Sequence, residues 1–414
     1  MKRFLISIAV YYVQLLSSYA QGPSAGDTLN YQERKLKVEE VNFVSGYYQQ
    51  DGNHSGVTGG IGTEKLTDFA NTLDLKISKT NKKGNIHQLF MEIGVDIYTS
   101  ASSANIRLPS PGYEHSGPSY QDTRIYPSLT YSVENPNKGI VNGIGLMYSQ
   151  EYDYISRGIH ANFAKTSKDK NRELGVSLFA YFDEWMVIYP YELRPPGYDN
   201  GSGDDDDNNN DTIGASSEPR NSFQASFTFS QVINKRLQVA VLFDPAYQEG
   251  QLTTLYQRVY FTDNSVKVER LPEKRMKIPV AFRANYFLGD RIILRSYYRY
   301  YQDDWGNKAH TVNLETPVKL NPFFSLIPFY RFSKQTGIDY FAPYAEHNLQ
   351  ETYYTSDYDL APFTSQLFGI GFRIAPAKGV FGVRNWNSLE LRAGHYLRSP
   401  DLKANSVTLA LKFK

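Results

Sequence analysis

MKIPVAFRANY, Met276–Tyr286, alternates without a break. Met276, Ile278, Val280, Phe282, Ala284 and Tyr286 fall on one side, and Lys277, Pro279, Ala281, Arg283 and Asn285 on the other. Successive side chains of a strand point to opposite faces, so this segment has one apolar and one polar face. The pattern recurs from end to end. Leu89, Met91, Ile93, Val95 and Ile97 alternate with Phe90, Glu92, Gly94 and Asp96; Phe223, Ala225, Phe227 and Phe229 with Gln224, Ser226 and Thr228. Near the C-terminus Val407, Leu409, Leu411 and Phe413 alternate with Thr408, Ala410 and Lys412. No segment holds a helical period.

The alternating segments run about ten residues, the length that crosses a membrane as a tilted strand. Their connections fall into two classes. Tight turns lie at 81–85 (NKKGN), 135–139 (NPNKG), 168–172 (KDKNR), 234–236, 289–291 and 321–322; long loops lie at 51–68, 101–122, 188–221, 246–274 and 335–363. Short turns on one side and long loops on the other are the layout of outer-membrane barrels, whose apolar face looks at lipid. A soluble β-sandwich also alternates, but its turns would not sort this way. The segments number about sixteen, with fourteen as the nearest alternative. The expected fold is therefore all-β: a transmembrane antiparallel β-barrel occupying residues 38–414.

The start of the chain, MKRFLISIAVYYVQLLSSYAQ, joins a basic pair, an apolar run and a small-x-small site ending at Ala20. Residues 1–20 read as a secretory signal peptide and 21–37 as a periplasmic N-terminal extension. The chain has no cysteine, which excludes a disulfide scaffold and a lipid-modified N-terminus. Charge is balanced, 44 Lys and Arg against 43 Asp and Glu, so no nucleic-acid partner is expected. Mean hydropathy is −0.48 although 14% of residues are aromatic. Aromatic belts at the two membrane interfaces would reconcile those values. Clusters suited to such belts are Tyr297, Tyr298, Tyr300, Tyr301 and Trp305, then Trp185, Tyr189 and Tyr191, with Phe323, Phe324 and Trp386 near the other side.

The polar face should line a lumen, and its charges divide along the chain. Asp74, Glu92, Asp96, Asp183 and Asp244, with Lys76 against them, belong to the first nine strands. Lys277, Arg283, Arg295, Arg299, Lys319, Arg331, Arg373, Arg392 and Lys412, with Glu315 and Glu390, belong to the later ones. Neighbouring strands are neighbours around a barrel, so one wall should be acidic and the facing wall basic. In an open lumen such walls would orient polar solutes. In a plugged barrel the same charges would pair across it.

The first long loop carries HSGVTGGIGTEKLTD, His54–Asp68, with Gly59, Gly60 and Gly62 followed by Thr63 and Glu64. A dinucleotide fingerprint needs a helix after the glycines and a Walker loop needs a different lysine spacing, so neither phosphate motif fits. What remains is the glycines' tolerance of positive φ and of close backbone approach, which predicts a loop folded against the wall or into the mouth. Asp51, Glu64 and Asp68 are the candidate cation ligands, against the plainer reading of solvated carboxylates. The run EEVNFVSGYYQQDGNHSGVTGGIGTEKLTDFANTLDL and the later VDIYTSASSANI resemble a Bacteroidota outer-membrane barrel family catalogued only as a domain of unknown function. The GGIGTE core after the first strand carries that resemblance, which spans nearly all of the mature chain. It implies an outer-membrane barrel without an assigned activity. For some members it implies neighbours of flavin-transferase and thioredoxin-like type, hence a redox-linked envelope assembly.

Elsewhere signals are weak. Asp204–Asp211, DDDDNNND, lacks the glycine and closing Glu of an EF-hand, and the seven histidines show no ligand spacing. No cofactor is expected and no catalytic group can be singled out; a membrane-embedded hydrolase is the third reading, behind two others. The first is an outer-membrane channel or uptake protein for a small polar solute. The second is a non-conducting barrel that partners periplasmic or surface proteins. Either needs outer-membrane lipid and, during insertion, the barrel-assembly machinery, whose signals usually end on a terminal aromatic. Phe413 is penultimate here.

Overall fold

The computed structural model describes residues 36–99, 121–196 and 216–414. The expected signal peptide, residues 21–35 of the expected extension and the Asp204–Asp211 run lie outside them. Eighteen strands form one sheet, and two pairs of them are halves of a single interrupted stave, giving sixteen staves. In chain order these are β1 Lys37–Asp51, β2 Leu66–Thr80, β3 Ile86–Thr99, β4 Gln121–Asn135, β5 Ile140–Gln150, β6 Tyr154–Thr166, β7 Arg172–Met186 and β8 Ser217–Asn234. Then follow β9 (Leu237–Phe243 and Ala246–Gly250), β10 Lys274–Leu288, β11 Ile292–Asp303 and β12 (Lys308–Glu315 and Val318–Asn321). The last four are β13 Phe324–Gln335, β14 Phe363–Ile374, β15 Trp386–Arg398 and β16 Leu402–Phe413. Each pairs antiparallel with the next, and β16 pairs back onto β1, from Val41 opposite Phe413 to Asp51 opposite Lys403. The barrel is closed.

Both interruptions have a local cause. In β9 the gap falls at Asp244–Pro245, beside Pro279 of β10, so two residues that cannot donate to a ladder meet at one place. In β12 it falls at Thr316–Pro317. The unbroken staves run from 11 to 18 residues, enough to cross a membrane, and the longest is β8.

Face assignment follows from β10: Val280 and Phe282 are 42% and 45% exposed, while Ala281 between them is 4% exposed. Large apolar side chains cover the outside all round, including Phe69, Ile93, Leu146, Leu178, Phe227, Leu314, Phe372 and Val407. A closed ladder leaves no backbone group unpaired in hydrocarbon, and this outer face can only be lipid-facing. The molecule is an outer-membrane barrel of a Gram-negative bacterium.

The connection lengths sort by end with exceptions. At the loop end 151–153, 304–307 and 399–401 are short, and at the turn end 375–385 is long. The aromatic clusters split as well. Trp386 stacks on Phe413 and meets Phe381 edge-on at the turn end, as a belt would. Tyr297 and Tyr301 instead face the lumen, and Trp305 is buried at 3% exposure, because alternation sends neighbouring tyrosines to opposite faces.

Candidate functional site

Four loops fold together over the mouth. The first, residues 52–65, turns back through three glycines at φ of 78°, 86° and 85°. A Cβ on Gly59 would lie 2.6 Å from the Tyr260 ring, and one on Gly60 would lie 2.8 Å from the Ser356 carbonyl oxygen. His54 stacks on Tyr358 with ring centres 4.0 Å apart, and its Nδ1–H donates to the Gly60 carbonyl at 3.0 Å. Residues 251–273 add a small hairpin, Arg258–Tyr260 with Val266–Val268. The Arg258 guanidinium, in a residue 4% exposed, donates to the Val57 carbonyl at 2.9 Å and to Glu192 at 2.6 Å. It thereby ties three loops at one point. Although burial works the other way, this contact holds the Glu192 carboxyl below its ordinary range. The fourth loop, 336–362, packs Tyr354 against Val259 and Phe261 of the hairpin, and Ile338 against Leu271 of the hairpin loop and Trp305 of the 304–307 turn. Among the described residues, the clusters of buried apolar side chains lie in the cap.

Between the cap and staves β1–β8 lies a chamber of about 540 Å³. Six carboxylates border it: Glu64, Asp122, Glu151, Asp153, Asp357 and Asp359. Tyr98 donates its hydroxyl to Glu151, and the Trp185 indole donates to Asp153 at 3.4 Å. Gln257 donates to Asp357 at 3.3 Å; Arg398, behind the lining, meets Asp359 closely and Glu64 at 3.8 Å. Burial raises the Glu64, Glu151 and Asp153 carboxyls, and burial with the neighbouring Asp359 pushes Asp357 up to about 6. Six carboxylates against Arg220 in the lining and Arg398 behind it leave the chamber acidic.

A second chamber of about 530 Å³ lies farther along the wall and shares Tyr154 and Arg220 with the first. It is bordered by Arg220, Lys277 and Arg299 against Asp183 and Asp244, with Tyr181, Tyr297 and Tyr301 between them. Asp183, 6% exposed, accepts the Tyr154 hydroxyl at Oδ2, while its Oδ1 has no partner. Arg220 lies over the Trp185 ring at 5.5 Å with its Nε unsatisfied. Arg299 stacks on Tyr301 at 5.6 Å.

The remaining lumen charges fall on the polar face. Asp74 lies opposite Glu92 and accepts from Asn42 at 3.2 Å, and Asp96 accepts from Tyr126 at 3.0 Å. On the other wall Glu315 joins Arg295 at 2.7 Å and Arg392 at 2.8 Å; Arg392 also reaches Glu390 at 2.5 Å, which lies 3.8 Å from Arg373. Lys412 pairs with Glu40 across the β16–β1 seam. Arg283, Arg299 and Arg331 are exposed inside the barrel and have no ion pair among the described residues. Asp51, Glu64 and Asp68 do not converge: Asp51 lies opposite Lys403, Glu64 turns to Arg398, and Asp68 lies opposite Tyr98. No group of carboxylates or histidines among the described residues has the spacing of a metal site. Arg220, Glu151, Asp153 and Asp357 escape sequence reasoning because they lie at stave ends and in loops, where alternation says nothing. The EYDY run at 151–154, two acids interleaved with two tyrosines at a strand exit, is the signal that could have found part of the chamber.

No curated protein matches the chain. Among solved structures it is similar to a bacterial polysaccharide outer membrane secretin, at 11% identity and a TM-score of 0.43 over 90% of this chain and 98% of that one. It is also similar to a BenF-like porin from Pseudomonas fluorescens Pf-5, at 8% identity and 0.42 over 92% and 99%. OccAB1 from Acinetobacter baumannii matches at 10% identity and 0.44 over 92% and 97%. The family model described as "Protein of unknown function (DUF3570)" matches residues 29–407, and with nearly the whole barrel inside that span the chain belongs to the DUF3570 family.

Proposed function

We propose that the protein is an outer-membrane channel for small polar solutes, selective because its mouth is capped. The observation that carries this reading is the state of the basic wall. Arg283, Arg299 and Arg331 stand exposed inside a closed barrel, and among the described residues no ion pair links that wall to Asp74, Glu92 or Asp96. A guanidinium without a carboxylate must be hydrated, since burying it bare is prohibitively costly. A lumen plugged by its own side chains would have spent those charges on one another. The Arg295–Glu315–Arg392–Glu390 network stays on one wall and stiffens it without crossing the lumen.

Conductance of the refolded protein in a planar bilayer tests this, with reversal potentials in a salt gradient. Steady single-channel current is expected. Replacing Arg283, Arg299 and Arg331 together by Ser should shift selectivity toward cations, most visibly at low ionic strength where screening is weak. A silent barrel that is folded by its gel mobility would overturn the reading.

A further inference from the structure

We infer that the two chambers form one site for a small zwitterion, which places its ammonium in the acidic outer chamber and its anionic group among Arg220, Lys277 and Arg299. The inference rests on the channel reading and names the class of solute. Order along the path is its first support. A solute entering past the cap meets Glu151, Asp153 and Asp357 first, then the Tyr154–Arg220 boundary, then the cations. An anion is repelled at the first chamber and a cation is opposed at the second, whereas a zwitterion is drawn by both. Carboxylates with Tyr98, Tyr154 and Trp185 beside them supply the charge and ring faces that an ammonium group binds.

The second support is independent of the charge count. Each chamber is bordered by a side chain at least nine-tenths buried that keeps an unused polar atom. In the inner chamber it is Asp183, 6% exposed, whose Oδ1 has no partner and, as an acceptor, would take an N–H of the solute's body rather than its anionic group; in the outer one it is Glu64, 9% exposed, whose Oε2 accepts no hydrogen bond and has Arg398 only at 3.8 Å. The Arg220 Nε at the boundary is likewise unsatisfied. Buried polar atoms left unpaired by the chain are uncommon, and a bound solute with donors and acceptors would pair them. Burial raises the Asp357 and Asp153 carboxyls, and an ammonium bound beside them would favour their charged forms. Each cavity falls within the range of small-molecule sites.

Four isosteric compounds separate the charge states: glycylglycine, the anion propionylglycine, the cation glycylglycinamide, and the neutral propionylglycinamide. Their entry into proteoliposomes containing the full-length protein is read by osmotic swelling. Glycylglycine should enter about tenfold faster than the neutral form, with both singly charged forms slower than glycylglycine. Glu151→Gln with Asp153→Asn should erase the advantage of glycylglycine over propionylglycine, and Lys277→Met with Arg299→Gln its advantage over glycylglycinamide. Equal entry of all four into wild-type vesicles overturns the inference and leaves the channel standing. No entry of any of them, with no conductance from the folded barrel, overturns the channel reading and this inference together.

Discussion

Gly60 illustrates how one residue fixes the cap. Its φ of +86° is left-handed, and the space a Cβ would need is occupied by the Ser356 carbonyl oxygen at 2.8 Å and the Tyr358 ring at 3.0 Å. Gly60→Ala therefore carries the left-handed strain of an L-residue, about 1–2 kcal/mol, and a clash in addition. It should release residues 52–65 to protease while the barrel keeps its heat-dependent gel mobility. Gly84→Ala is the control: φ is +78° but nothing lies within 4 Å, so only the strain applies and no loop is freed. Equal protease resistance of the two variants would refute the role given to Gly60. The need for positive φ and close approach was legible in the GGIG run itself. What approaches was not, since Ser356 and Tyr260 lie far along the chain and no local pattern announces them. Trp305 and Trp185 teach the converse. Composition suggests a membrane belt for every exit tryptophan, but Trp305 packs under Arg275 at 4.3 Å in the cap and Trp185 borders the chamber.

At the scale of elements, the staves were readable because period two is a local property, and each of the sixteen lies within a few residues of its alternating segment. The cap was not readable, because its hairpin strands are three residues each and its contacts are made between loops. Glu269 links two of those loops. It is 3% exposed, accepts the Thr254 N–H at 2.7 Å and the Thr355 hydroxyl at 2.5 Å, and burial pushes its carboxyl up to about 8. A carboxyl whose folded value lies above its unfolded 4.5 contributes stability that is full below 4.5 and lost as pH rises through 8. The cap should therefore be firmest in acid and loosen in alkali. Glu269→Gln stays neutral and can keep both contacts, since the Thr355 hydroxyl can turn to accept. Cleavage within 251–273, taken as wild type over Glu269→Gln to cancel the protease's own pH response, should rise at least about threefold from pH 6 to pH 9. A flat ratio would mean that Glu269 does not hold the loops.

For the whole molecule the decisive feature is the seam, because it turns a sheet into a barrel. Chain order places residues of sequential staves side by side, since such staves are spatial neighbours. Arg220 beside Asp183, which joins the two chambers, required the register. Closure depends on β16 alone pairing with both β15 and β1, through 11 residue pairs from Val41–Phe413 to Asp51–Lys403 on the β1 side. Ending the chain after Asp401 would expose two stave edges to hydrocarbon, where every unpaired backbone group costs several kcal/mol. No slip of the remaining fifteen staves repairs this, because moving one residue would turn each apolar face into the lumen. The truncated chain should give no heat-modifiable, protease-resistant species on refolding. Replacing residues 336–362 by a short Gly-Ser turn touches no rung of the ladder, and that variant should still close while losing the cap. If the truncated chain instead migrated as a folded barrel, the β16–β1 pairing would not be what closes it; if the loop-replaced chain failed to close, the cap would be a requirement of the barrel rather than a structure built upon it.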